Sequence, residues 1–424
     1  MLHRIKAALY FPVAHYFAFF ARIRLRRWAP RIVVVTGSNG KTTALHLIEA
    51  RLGTRARYTH HRNSSFGIPF DILELDDAAG SRLKWFALVA QAPLRALRKA
   101  PIDKIYVVEA DCDRPGEGKF LSELLSPEVV VWLNCARTHS AQFEDVVRSG
   151  TFENVDGAIA YEYGYFLEHA SKLCIINSDD PRIVHEMERS GAQVSAITER
   201  DLQSYSVSTS GTEFEIYGAR YALPYLLPKD VFRSIAASAA VAQYFGIQPT
   251  NDLSLFTQPP GRSSIFRGLR ETTIVDSSYN ANASSVEAIL EMVRVLPGAK
   301  WLIFGDMTEQ GGYEGEEHEK VAHLIAQSGF ERVLLVGPRT RKFVLPILEK
   351  KGVRTDSYLD PSEVLKILPN SIDGGPPGQG EILVFKGARF LEGIIEHMLA
   401  EPSDVEKLCR REGVWRARRK EWNV

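Results

Sequence analysis

The sequence predicts an α/β protein with two parts. The first is a P-loop central ATPase domain on a parallel sheet, and the second is a C-terminal doubly wound, Rossmann-like domain. Three observations predict it. Apolar, β-branched runs alternate with helix-length segments from residue 31 to about 399. A glycine loop joins the first of these runs to a helix, as phosphate-binding loops do. The stretch Gln258-Pro259-Pro260-Gly261 breaks the alternation, which then restarts.

Residues 1–30 are expected to form a basic amphipathic segment. A basic start and the apolar run Ala7 to Ala21 imitate a signal peptide. No small-residue cleavage site follows, Pro12 and His15 interrupt the run, and a nucleotide-binding strand begins at Arg31, so neither export nor a membrane span is expected. Residues 31–258 form the central domain in this reading. Its strands Arg31 to Thr36, Lys104 to Ala110, Glu128 to Leu133 and Lys172 to Asn177 are continuous apolar runs, the mark of a parallel sheet buried on both faces. Tyr205 to Tyr221 alternates apolar and polar residues with turns at Gly211 and Gly218, predicting a small antiparallel excursion, and a helix is expected near Asp230 to Phe245.

The C-terminal domain is placed at 259–424. It reads as strand Thr273 to Asp276, helix Ser285 to Leu296, strand Lys300 to Phe304, helix Glu316 to Ser328, strand Arg332 to Val336, a further helix, strand Glu381 to Phe385 and helix Phe390 to Leu399. It has no G-x-G-x-x-G, so a dinucleotide site is not indicated. Asp373 to Gln379 reads as a Gly/Pro-rich loop.

Composition narrows the partners. At 424 residues, 45% hydrophobic and 25% charged, the chain is long enough for two or three ordinary domains. Its 52 basic residues equal its 52 acidic ones, so no overall field recruits nucleic acid. Cys112, Cys135, Cys174 and Cys409 form no C-x-x-C pair, which argues against a zinc site or a disulfide frame and fits the cytoplasm.

The run Thr36-Gly37-Ser38-Asn39-Gly40-Lys41-Thr42-Thr43 follows the buried strand. Backbone N–H groups of such a loop and of the helix start form an anion cradle. Lys41 is expected to reach the β and γ phosphates of ATP from a solvent-facing loop, and Thr42 to bind Mg2+ through its hydroxyl. Val35 stands where a strict P-loop has glycine, so the loop is a variant.

This loop resembles the TGTNGKTT loop of the Mur ligases, and further matches follow in that family's order. Asn63-Ser64-Ser65-Phe66-Gly67-Ile68-Pro69 resembles its asparagine, glycine and proline loop, with Ser64 replacing a second asparagine. Glu109 at a strand end matches a magnesium-binding glutamate, and Asn134 with His139 resembles the N-x-x-x-x-H pair whose histidine holds a second cation. Asn177-Ser178-Asp179-Asp180-Pro181 and the hinge Gly261-Arg262 fit as well. In the C-terminal part, Asp276-Ser277-Ser278-Tyr279-Asn280-Ala281-Asn282, Phe304 to Glu309 and Lys386-Gly387-Ala388-Arg389 are similar to boxes of the Mur ligases that add D-alanyl-D-alanine.

The resemblance implies an ATP-dependent carboxylate–amine ligase of peptidoglycan precursor synthesis, working through an acyl phosphate. It implies that Lys41, Glu109 and His139 are catalytic and that Thr42, Glu109 and His139 hold metal. The loop residues, Asn134, Tyr279, Asn280 and Asn282 would bind the nucleotide, and Asn63, Ser64, Arg262, Lys386 and Arg389 the substrates, a muropeptide and an amine. Two alternatives stay open: a Mur-like ligase for another acid, such as a polyglutamate chain or a lipid-linked muropeptide, and a P-loop NTPase that is not a ligase.

Three departures from the family pattern shape further expectations. Ile159-Ala160-Tyr161-Glu162-Tyr163-Gly164 stands where the family has an A-K-G segment with a carbamylated lysine, and Tyr163 takes the lysine position. Either Glu162 supplies that charge, and is then a catalytic residue with Lys41, Glu109 and His139, or the second metal is held differently. Lys229-Asp230-Val231-Phe232-Arg233 replaces an H-N-x-x-N segment. Only 30 residues precede Arg31, where the subfamily has a uridine-nucleotide domain. Residues 1–48 contain no acid but include Arg4, Lys6, Arg22, Arg24, Arg26, Arg27, Arg31 and Lys41, and Ala78 to Ile102 is acid-free too. Such segments suit peripheral contact with an anionic inner membrane face, or a helix packed on the body of the protein. A monomer is expected.

Overall fold

The computed structural model describes residues 2–60, 62–76, 82–368, 380–411, 415 and 419. The expected loop Asp373 to Gln379 lies outside the described residues, as do the side chains of Arg4 and Lys6. The chain forms two compact units interleaved in sequence, 1–136 with 145–201 and 233–250, and 137–144 with 202–232 and 251–424. Residues 137–144 and 202–232 therefore group with the C-terminal unit, although the sequence boundary at 258/259 leaves them in the central domain.

The first unit carries six parallel strands: β1 (Arg31–Thr36), β2 (Ala56–Tyr58), β3 (Ile105–Glu109), β4 (Val129–Trp132), β5 (Leu173–Asn177) and β6 (Gln193–Ile197), in the order β2-β3-β1-β4-β5-β6. Val33, Val34 and Val35 lie opposite Val107, Val108 and Glu109 on one side and Val129, Val130 and Val131 on the other. All of these pairs except Val35 with Glu109 are fully apolar because both faces of the sheet are covered. Strands β2 and β6 escape the sequence reading. One is three residues long, and the other is an edge strand whose side chains are mostly exposed, so neither carries an apolar run.

Helices of this unit are α1 (Leu2–Trp28), α2 (Lys41–Leu52), α3 (Gly67–Leu73), α4 (Arg82–Ala96), α5 (Glu117–Leu125), α7 (Val155–Glu168) and α8 (Pro181–Met187), with the short α6 (Glu144–Arg148) at its edge. The N-terminal segment is thus one 27-residue helix. It buries Ala14, Phe17, Ala21, Arg24, Leu25 and Trp28, a stripe at spacings of three and four that marks one helix face. Phe17 packs against Phe70 of α3, and Tyr16 donates to the Val89 carbonyl of α4. The terminal nitrogens of the Arg24 guanidinium donate to Glu74 at 2.7 Å and to the Arg95 carbonyl at 2.7 Å. The apolar face expected to be available to a membrane is the face that packs on the body.

The second unit holds β7 (Leu202–Ser208), β8 (Gly211–Ile216) and β9 (Ala219–Leu223) as the expected antiparallel excursion. Helix α9 (Val231–Tyr244) follows, with residues from 233 on in the first unit. The larger sheet runs β10-β11-β15-β12-β13-β14, built from β10 (Ser264–Arg267), β11 (Thr273–Ser277), β12 (Lys300–Gly305), β13 (Arg332–Val336), β14 (Thr355–Tyr358) and β15 (Ile382–Lys386). Only β10 is antiparallel in it. Helices α10 (Ala283–Arg294), α11 (Glu314–Ala326), α12 (Leu345–Lys350), α13 (Pro361–Ile367) and α14 (Leu391–Glu396) cover its faces. Edge strands β10 and β14 are half-polar and were invisible to a search for apolar runs. Two cores result, one led by Val286, Leu302, Phe304 and Val384 and one by Ile274, Ile303, Phe385 and Leu391.

Candidate active site

In the first unit the carboxyl ends of β1, β3 and β4 bring the expected residues together, as open α/β sheets do at a topological switch. Gly37 has φ +123°, and a side chain there would meet the Asn134 carbonyl at 2.8 Å, so only glycine lets β1 turn into the loop. Gly40, at φ +80°, starts α2. Asn134 grips the loop from β4: its side chain accepts from the Asn39 N–H at 2.8 Å and donates to the Asn39 carbonyl at 2.9 Å. It shapes the cradle through the backbone. Ser38 is tied in the same way to Ala136, its hydroxyl donating to that carbonyl.

Lys41 is buried, not solvent-facing as expected. Its ammonium donates to the Gly37 carbonyl at 2.6 Å and pairs with Asp111 at 2.8 Å. Burial alone would lower its pKa, but Asp111 and Glu109 outweigh burial and raise it, so the charge is held. The Thr42 hydroxyl donates to Glu109 at 2.9 Å, and the Asn63 amide approaches the other Glu109 oxygen at 3.3 Å. The Thr42 hydroxyl and the Glu109 carboxylate beside a phosphate cradle are oxygen donors of the kind a hard cation takes. Thr43 is buried in α2. Ser64 faces its own helix, its hydroxyl accepting from the Gly67 N–H at the start of α3.

Sequence reasoning missed Asp111. One of its oxygens accepts from the Tyr163 hydroxyl at 2.8 Å, while the other meets Lys41. Tyr163 is fully buried, and burial followed by Asp111 pushes its phenol well above the ordinary range, so it stays a donor. The neighbouring Glu162 accepts from the Gly116 N–H at 2.7 Å and the Gly118 N–H at 2.9 Å. Its carboxylate closes the N-terminus of α5, and burial, offset in part by these N–H groups, raises its pKa. The available signal for Asp111 was its place two residues past Glu109 at a strand end.

In the second unit, His139 adopts a left-handed φ of +51° and its Nδ1 lies 2.7 Å from Glu309. A small hollow lined by Thr138, His139, Asn280, Asn282, Thr308 and Glu309 opens there. Asn282 caps α10, its side chain accepting from the Ser285 N–H at 2.8 Å in a capping box. Asn280 lends its carbonyl to Lys386, whose ammonium donates to it at 2.7 Å. Burial, then the nearby Arg262, lowers the Lys386 pKa to about 7 against the pull of Asp276. The Arg262 guanidinium lies 4.7 Å from the Tyr279 ring centroid. Arg389 is engaged by the fully buried Asp306, at 2.7 and 2.9 Å, and Asp306 also accepts from the N–H groups of Arg339 and Thr340. Arg389 thus ties the β15 end to the β12 end.

A glycine-turned strand–loop–helix cradle with a buried lysine and an acid at the neighbouring strand end defines a nucleotide-dependent phosphoryl-transfer enzyme. The Mur ligase middle domain matches residues 35–227 and the Mur ligase glutamate ligase domain residues 261–389, so the chain belongs to the Mur ligase family. It is an ATP-dependent, ADP-forming ligase. The UDP-N-acetylmuramoyl-tripeptide--D-alanyl-D-alanine ligase of Bacillus subtilis is 26% identical over 404 residues, covering 90% of this chain and 79% of that protein. The fold is similar to MurF ligase from Thermotoga maritima in complex with ADP, with a TM-score of 0.71, 22% identity, and coverage of 93% and 84%. It is similar also to MurF from Acinetobacter baumannii, with a TM-score of 0.72, 19% identity, and coverage of 92% and 79%.

Proposed function

We propose that the chain joins D-alanyl-D-alanine or a similar amine to the carboxylate of a muropeptide in peptidoglycan precursor synthesis. The γ-phosphoryl of ATP passes to a carboxylate oxygen, giving ADP and an acyl phosphate. The amine nitrogen then attacks the acyl carbon, phosphate leaves, and the nitrogen loses a proton. The observation that carries this reading is the cluster of Lys41, Thr42, Glu109 and Asn63 at the loop. The loop N–H groups and Lys41 hold the phosphates, and Thr42 and Glu109 would hold Mg2+. Mg2+ bound there supplies charge neutralisation during transfer.

The negative charge that the family draws from a carbamylated lysine comes, in this reading, from Asp111, held by Tyr163 from the lysine position. Within the second unit, His139, Tyr279, Asn280, Arg262 and Lys386 are ligand-binding residues in this reading, and Asn282 and Arg389 fix the backbone beside them. The protein acts as a monomer in the cytoplasm, in contact with the anionic inner face of the membrane. Phosphate release by the purified protein tests the ligase reading. With ATP alone it should stay near background and rise only when a muropeptide acid and an amine are both present. Steady release with ATP alone would mark an uncoupled NTPase instead.

A further inference from the structure

Helix α4 buries Leu88, Ala92 and Ala96, four residues apart, and turns its opposite side outward. On that side Leu83, Phe86, Leu94 and Leu97, running just past the helix end, are 81, 76, 69 and 66% exposed, with exposed Ala90 between them. Spacings of three and four make this one continuous stripe. Ile102, 82% exposed, extends it. A single exposed leucine on a protein surface is ordinary, whereas a row of large ones marks an interaction site.

Charge identifies the occupant. From Arg82 to Ile102 there is no acidic residue, while Lys84, Arg98 and Lys99 are exposed. The adjacent α1 is also free of acid and exposes Arg22 and Arg26. A second copy of this face would bring like charges together, which opposes pairing. No described helix is long and apolar enough to cross a membrane, so a helix of this kind lies in the interface plane. Resting on the reading that the enzyme works at an anionic membrane, we propose that α4, rather than the N-terminal helix, is the docking element. Leu83, Phe86, Leu94 and Leu97 enter the headgroup boundary of the bilayer, and Lys84, Arg98 and Lys99 meet lipid phosphates.

The test is co-sedimentation of the full chain with phosphatidylglycerol-containing vesicles and with phosphatidylcholine vesicles. Binding is expected to the anionic vesicles only, to weaken with salt, and to fall about tenfold or more in a Phe86→Ser, Leu94→Ser variant with an unchanged melting temperature. Absence of binding by the intact chain would overturn both the docking surface and the membrane reading. Binding that survives in the α4 variant but is lost in Arg22→Glu, Arg26→Glu would overturn the α4 assignment alone. So would concentration-dependent self-association abolished by the α4 variant, since the stripe would then be a contact between copies. Ligase turnover on soluble substrates is expected to be unaffected by the α4 substitutions, so loss of docking leaves the ligase reading standing.

Discussion

Lys41 donates to the Gly37 and Ser38 carbonyls and pairs with Asp111, so replacing it reaches beyond the phosphates. Lys41→Ala should lower ATP turnover roughly a hundredfold or more, the scale of a lost electrostatic donor in an active site. It should also destabilise the fold by about 3–5 kcal/mol, because Asp111 is left buried without its counter-charge. Adding Asp111→Asn should recover much of the melting temperature and none of the turnover, and a melting temperature unchanged in Lys41→Ala alone would contradict the pairing. If Asp111 supplies the fixed charge, activity should be indifferent to removal of bicarbonate and carbon dioxide. Tyr163→Phe should then raise the magnesium concentration needed for nucleotide binding, read by titration calorimetry, without abolishing ATP binding. Lys386 offers a pH test. Its folded pKa of about 7 lies below the ordinary lysine value of 10.5, so between the two the unfolded chain binds the extra proton and stability rises with pH. The stability of the native protein minus that of Lys386→Met should therefore climb from about pH 7 towards pH 10 and be flat below; a flat difference throughout would sink the assignment.

At the scale of elements, α1 and α5 show how much of the site's neighbourhood is ordinary packing. Phe17→Ala removes a fully buried ring between α1 and α3, and should cost about 3–5 kcal/mol in denaturant unfolding. An effect below about 1 kcal/mol would mean that α1 is not seated as described. Glu162→Gln should lower stability through the α5 N-terminus, by about 1–3 kcal/mol, and leave the magnesium requirement where it is. The inner strands of both sheets were legible because buried β-branched runs are local signals. Edge strands were not, since half their surface faces solvent and their residues look like loops.

For the whole molecule, binding should be visible as stability. ATP with Mg2+ at about a hundred times its dissociation constant should stabilise the protein by about 2.7 kcal/mol, and chelating the metal should remove most of that shift. Equal melting curves with and without chelator would argue against Thr42 and Glu109 as metal ligands. The two units need to be probed separately as well as together, because the cradle belongs to the first and the Lys386 cluster to the second.

The sequence by itself determined the fold class, the phosphate loop, the glutamate at the β3 end and the ordered boxes of the second unit, because each is a short-range pattern written in adjacent residues. Only the tertiary structure decided what those residues do to one another. It joined Tyr163 to Asp111 and Asp111 to Lys41 across 52 and 70 positions of chain, turned Glu162 onto the α5 amides, and assigned Arg389 to Asp306. It also decided which of two basic, apolar helices is covered, burying the stripe of α1 and exposing that of α4. The reason is physical. Amphipathicity states that a helix has an apolar face, and only packing between distant segments states whether water, protein or lipid meets it.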